Sequence, residues 1–217
     1  TDFSKPIFSV IFTLSSHNPY AVPARYKGKF PIGTAKIHES IGYADFALMQ
    51  YFASAKKQVW YKNTLFVLTA DHTSSEGTGY YSNDVGRYAI PIVFFDPSNP
   101  KLKGIDSTIF QHSDIMPYVF KYIGFSSKFL NYGNDVNLKE GRFVINFSNG
   151  VYHFIYDDYY LLFNGVEVLG AFRWKDDRLL KHNIYGTKND TIQKAETLLK
   201  ACIQSFNSRV INNKLTP

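Results

Sequence analysis

Apolar residues in this chain fall into two kinds of run. Short continuous runs, rich in β-branched and aromatic side chains, occupy residues 6–14 (PIFSVIFTL), 64–70 (TLFVLTA) and 88–95 (YAIPIVFF), and predict buried strands. Between the first two, Ile37, Ile41, Ala44, Leu48, Phe52 and Ala55 recur at steps of three and four. That spacing predicts an amphipathic helix over 35–58, closed by Lys56-Lys57, cations that suit a helix C-terminus. A second helix is expected after Gln111-His112-Ser113-Asp114, with Ser113 or Asp114 as its cap, Pro117 in its first turn and Gly124 as its stop.

After Gly133 the period changes. Strand-like runs at 143–147, 151–156, 159–163 and 166–174 are punctuated by Asn149-Gly150 and Asn164-Gly165. Asn-Gly between strands is a strong hairpin signal, so an antiparallel meander is expected here. A last helix carries Ile192, Ala195, Leu199, Cys202, Phe206 and Val210 as its apolar stripe, with Asp190 and Gln193 placed as a capping box.

The order predicts an α/β fold: a mostly parallel sheet flanked by helices, then a small C-terminal antiparallel β-meander and a terminal helix. The expected partition is 1–133 for the α/β part and 134–217 for the hairpins and last helix. Open α/β sheets bind ligands at the carboxyl ends of their strands, and His17 and Asp71-His72 both follow predicted strand ends.

Composition narrows the function. The 217 residues hold 24 Lys+Arg against 18 Asp+Glu, a net charge of +6, scattered rather than clustered. That argues against a nucleic-acid footprint and tolerates anionic substrates. A single cysteine, Cys202, excludes a disulfide framework and a cysteine-based zinc site. No glycine-rich phosphate loop, Gly-x-Ser-x-Gly elbow or His-Glu-x-x-His is present.

Asp71-His72 is the sharpest chemical feature. A carboxylate and an imidazole at a turn leaving a strand can both ligate a divalent metal, or can simply cap that turn. His17 can donate to an anionic oxygen or act as a general acid, or pack beside Tyr20. His112 reads best as part of a helix-capping segment and Arg87 as a surface residue. His153 and His182 read as structural, and residues 156–160 (YDDYY) as a turn between strands.

Four blocks, taken in order, resemble one family. They are FTLSSHNPY (12–20), WYKNTLFVLTADH (60–72), GRYAIPIVFF (86–95) and QHSDIMP (111–117). Together they look like the lipoteichoic acid synthase and phosphoglycerol transferase group, in the sulfatase branch of the alkaline phosphatase superfamily. The order and spacing agree over residues 7–133.

The resemblance implies a metal-dependent phosphoglycerol, or related phospho-group, transferase acting on extracytoplasmic lipid or glycan substrates. It implies Asp71 and His72 as ligands of a divalent metal, with Mn expected and Mg, Ca or Zn as alternatives. It implies His17 as the residue that meets substrate. The family's nucleophile and first acidic ligand lie on earlier strands that match nothing in this chain, so no nucleophile is assigned here. The alternatives are a sulfate-ester hydrolase of the same superfamily, or a non-catalytic domain binding an anionic glycan.

By the same resemblance, the parent protein is expected at the extracytoplasmic face of a bacterial inner membrane, held there by segments preceding Thr1. The partners implied are an anionic phospholipid or glycan, with no nucleic acid. The chain itself is expected to be a C-terminal half, inactive alone and prone to self-association through its first strand. Asp71, His72 and His17 are expected to share one cleft.

Overall fold

The structure, a computed structural model, describes residues 4–74 and 77–216. The chain divides into two compact units, Thr1–Thr78 with Arg87–Gly104 and Gly79–Gly86 with Ile105–Pro217. These units run differently from the 1–133 and 134–217 partition read from sequence, because the segment around Asp114 is bonded into the hairpin sheet.

In the first unit the three- and four-residue spacing produces helix α1 (Ile37–Ala55). Its expected stripe is only partly covered: Ala55 is buried, but Ile41 and Leu48 are exposed. The helix is held instead by aromatic contacts. Tyr43 and Phe46 lie 5.4–6.0 Å, ring to ring, from Tyr26 and Phe30. Phe52 packs edge-on against Phe66 and Phe95, closing a small core with Ala55 and Tyr61.

Phe66 and Phe95 belong to the unit's two strands, β1 (Phe66–Thr69) and β2 (Ile92–Phe95). They pair antiparallel, Phe66 opposite Phe95 and Thr69 opposite Ile92. This corrects the mostly parallel sheet expected from sequence. A parallel pair needs a crossover, usually a helix. Among the described residues of the β1–β2 connection there are only short 3₁₀ turns. The strand expected from Tyr88 begins at Ile92, after Pro91, which has no N–H to give a ladder.

The strand expected at 6–14 is not formed. Phe8 and Phe12 are 91% and 72% exposed. A strand exists only as half of a pair, and no strand among the described residues pairs with this segment.

In the second unit the Asn-Gly reading holds. β3 (Phe143–Ser148), β4 (Val151–Tyr156), β5 (Tyr159–Phe163) and β6 (Val168–Arg173) form one antiparallel meander in chain order. Asn149 and Gly150 both take positive φ (52° and 78°), the two-residue turn that matches strand twist. The second Asn-Gly pair makes a longer loop, with Asn164 Oδ1 accepting from the amides of Val166 and Glu167.

Helix α3 (Asp190–Ile211) covers one face of this sheet. Ile192, Ala195 and Leu199 pack on Phe154, Leu161 and Ala171. Its cap is Asn189, not the expected Asp190: the Asn189 side chain accepts from the amides of Thr191 and Ile192.

Helix α2 (Ile115–Tyr122) is anchored by a buried polar network. The Asp114 carboxylate, fully buried, accepts from the Gln111 amide at 3.0 Å and from Asn134, and pairs with Arg142 at 2.8 Å. Arg142 also donates to the carbonyls of Ile109, Asp135 and Leu138. Asn134 in turn exchanges bonds with both backbone groups of Phe143, on β3. Gly133 is required by this closeness, since a Cβ there would lie 2.5 Å from the Asp114 carboxylate.

Asp114→Ala leaves Arg142 as an unpaired buried cation, and removing one partner of such a pair typically costs about 3–5 kcal/mol. We expect a loss of that size in urea unfolding, followed by Trp174 fluorescence in a Trp60→Phe background. The apolar double variant Asp114→Leu/Arg142→Met should recover more than half of it. An Asp114→Ala loss below about 1 kcal/mol would show that the pair does not anchor the helix.

Candidate metal and anion site

Asp71 and His72 lie just past the end of β1, where the chain bends away from the ladder. The bend is fixed from the other side by Thr73. Its amide and its hydroxyl both donate to the Arg87 carbonyl, at 2.8 and 3.0 Å. The ladder therefore continues as a side-chain-reinforced clamp directly after the two candidate ligands.

Local bonds then set which atoms face outward. Asp71 Oδ1 accepts from the His72 amide at 3.0 Å, leaving Oδ2 for another partner. His72 Nδ1 lies 2.7 Å from the Thr73 carbonyl. A carbonyl only accepts, so Nδ1 carries the proton and, in the neutral ring, Nε2 carries the lone pair. That Nε2 lies 3.6 Å from Asp71 Oδ2, and the two side chains are 52% and 65% exposed.

His17 lies in a turn of its own. Its amide donates to the Leu14 carbonyl at 3.0 Å, and its carbonyl accepts from Tyr20, whose φ is 62°. Its Nδ1 donates to the Asn18 carbonyl at 2.8 Å, so its Nε2 is also the outward nitrogen. Among the described residues no three His, Cys, Asp or Glu side chains converge as a metal site. Asp71 and His72 thus come together as a pair, and His17 is a separate group in the same unit.

The residues read as structural are placed accordingly. His153 is buried between Ser148 Oγ, 2.9 Å from Nε2, and the Tyr160 hydroxyl, 2.6 Å from Nδ1. Burial also raises the Tyr160 phenol well above its ordinary range, with Asp84 adding to the effect. His182 pairs with Asp177, whose carboxyl is lowered chiefly by the His182 amide. Residues 157–158 are a hairpin turn, with Asp157 at φ 51° and Asp158 paired to Lys175. His112 falls in a 3₁₀ turn, Gln111 and Asp114 forming a capping box around it. Sequence reading offered Asp114 as a cap but missed its pairing with Arg142, because the two residues are 28 apart and Arg142 sits in no recognisable spacing.

Residues 1–125 match the Sulfatase family, and the chain belongs to that family. It is 26% identical over 170 residues to lipoteichoic acid synthase of Staphylococcus aureus, strains USA300 and NCTC 8325 alike. That match takes in 71% of this chain and 26% of the relative, so the chain spans about a quarter of the length of these relatives. A solved structure, a protein of the alkaline phosphatase superfamily from Vibrio parahaemolyticus, superposes with a TM-score of 0.78 at 22% identity. It is matched over 98% of this chain and 51% of its own, and establishes the α/β fold.

The donor set suits a divalent metal. One carboxylate oxygen and one imidazole nitrogen are a hard–borderline pair of the kind that binds Mn, Zn or Mg. Two ligands on one ion at ~2.1 Å stand about 3.0–3.4 Å apart, close to the 3.6 Å between Oδ2 and Nε2. The Thr73 carbonyl behind Nδ1 is the outer partner that metal-bound histidines ordinarily have.

With Mn²⁺ titrated calorimetrically into the purified chain, we expect weak one-to-one binding. Asp71→Asn and His72→Ala should each weaken it by at least about tenfold, and Thr73→Pro, which removes the clamp, by less. Equal affinity in the wild type and Asp71→Asn would show that the pair does not hold the ion.

Proposed function

We propose that this chain serves a metal-dependent enzyme that transfers phosphoglycerol, or a related phospho group, on lipid or glycan substrates outside the cytoplasm of a bacterium. The observation that carries the reading is the outward pairing of Asp71 Oδ2 with a His72 Nε2 whose lone pair is fixed by the Thr73 carbonyl. Membership of the Sulfatase family and the likeness to lipoteichoic acid synthase support it.

Asp71 and His72 would hold a divalent metal, Mn²⁺ in our reading, which supplies Lewis-acid stabilisation of charge at phosphorus. His17 would meet the substrate. With Nδ1 donating to Asn18, its Nε2 accepts a proton when neutral and donates to a phosphate oxygen when charged. Exposure of all three side chains leaves room for a substrate larger than a simple phosphate. The net charge of +6 favours approach of an anion over a neutral sugar. Membrane attachment of the parent protein belongs to this proposal too, and it rests on the likeness to lipoteichoic acid synthase; among the described residues no helix is long and apolar enough to cross a bilayer.

Glycerol 1-phosphate is the probe that tests the reading. With saturating Mn²⁺ it should bind the chain at least tenfold more tightly than without metal. His17→Ala should weaken that binding by about tenfold or more, the value of one charge-assisted hydrogen bond, while leaving Mn²⁺ affinity unchanged. Inorganic sulfate competing better than glycerol 1-phosphate would replace the phospho-transferase with a sulfate-ester enzyme. Binding indifferent to both Mn²⁺ and Asp71→Asn would leave an anion-binding domain and overturn the proposal.

A further inference from the structure

The second unit holds two recesses that the metal site does not use. Both are walled by the C-terminal half of α3 and by residues 127–132, which follow α2. One is an open cleft of about 400 Å³ lined by Ser127, Lys128, Phe129, Leu130 and Arg209. The other is a narrower, largely apolar slot of about 110 Å³, whose walls include Tyr132, Tyr152, Cys202, Ile203 and Phe206.

The two are neighbours along the same walls. Phe206 and Arg209 are three residues apart on α3, so they lie on one face of the helix. Leu130 and Tyr132 are two apart on the opposite wall, and Tyr132 meets Phe206 edge-on at 5.5 Å. The chemistry changes across that contact. Lys128 and Arg209 bring two positive charges to the open cleft, and among the described residues neither makes an ion pair. The slot beyond presents almost no polar surface, although Tyr132, Tyr152 and Asn207 are among its walls. The Tyr132 hydroxyl is closed to solvent and, among the described residues, has no hydrogen-bond partner.

We propose that cleft and slot together bind a small anionic amphiphile, its phosphate or carboxylate head on Lys128 and Arg209 and its short apolar tail beside Phe206. The size of the slot limits the tail. At about 110 Å³ it is smaller than an engineered cavity of ~150 Å³ that accepts a benzene ring. The slot therefore takes only the last few carbons of a tail and the wider cleft the rest, so an eight-carbon chain is accommodated and a full-length acyl chain is not. This site is independent of the Asp71–His72 pair, and its test does not depend on metal.

Cys202 lines the slot and is the sole cysteine of the chain, so its alkylation reports this place alone. Burial raises its thiol above the usual range, which makes the unliganded rate slow but measurable at pH 8–8.5. The rate is read with iodoacetamide in the presence of n-octyl phosphate below its micelle concentration, inorganic phosphate, or uncharged octyl glucoside.

The proposal expects octyl phosphate to slow alkylation at least fivefold at saturation and inorganic phosphate to leave it unchanged. Octyl glucoside should protect only at concentrations about tenfold higher. In Lys128→Gln/Arg209→Gln, two exposed substitutions that spare the core, the half-protecting concentration of octyl phosphate should rise about tenfold. An unchanged rate with octyl phosphate would overturn the proposal. So would equal protection by octyl glucoside, or an unshifted half-protecting concentration in the double variant.

Discussion

A carboxylate with no solvent exposure must be surrounded by donors, and that requirement organises the larger unit of this chain. Asp114 satisfies it with the Gln111 amide, Asn134 and the Arg142 guanidinium. Those donors come from before α2, from after it and from the threshold of β3. Meeting the requirement therefore places the helix, the loop behind it and the first strand of the meander at once. The apolar residues of α3 pack on one face of the same sheet, whose first strand this network locates. A fully apolar core could supply comparable stability; here the polar network supplies a specific attachment between segments far apart in sequence.

The candidate site uses charge in the opposite way. Asp71 is more than half exposed, and its second oxygen and the neighbouring imidazole nitrogen are left outward by bonds made within three consecutive residues. The structure thus separates an ionised group committed to architecture from one whose partners leave it available. The ligand role proposed for Asp71-His72 rests on that contrast and on the fixed histidine tautomer.

Local signals were the ones legible in the sequence. The spacing of Ile37 to Ala55 located α1, and Asn149-Gly150 located a hairpin, because both depend on residues within a few positions of one another. The four family blocks identified the family for the same reason. Outside the hairpins, what sequence did not show was which segments would pair. The run at 6–14 has a strand's composition, yet composition supplies no partner, and the segment stays exposed. The direction of β2 was equally hidden, since it depends on what lies between the strands and not on the strands themselves. At the site, Asp71, His72 and His17 were visible as candidates, but the tautomers and the Thr73–Arg87 clamp arise from backbone carbonyls, which carry no residue signature.

Because Asp71 and His72 are consecutive, a metal held as proposed would be chelated from a single stretch of backbone. Assembling such a chelate closes almost no loop, so little chain entropy stands between the unliganded and ion-bound forms. A site gathered from distant strands would be lost when those strands separate; this one persists as long as the short ladder of β1 and β2 and the Thr73 bonds persist. The cost of that economy is selectivity. Two donors on one loop specify neither coordination number nor shape, so the choice among divalent ions passes to whatever completes the shell, including the substrate's own oxygens.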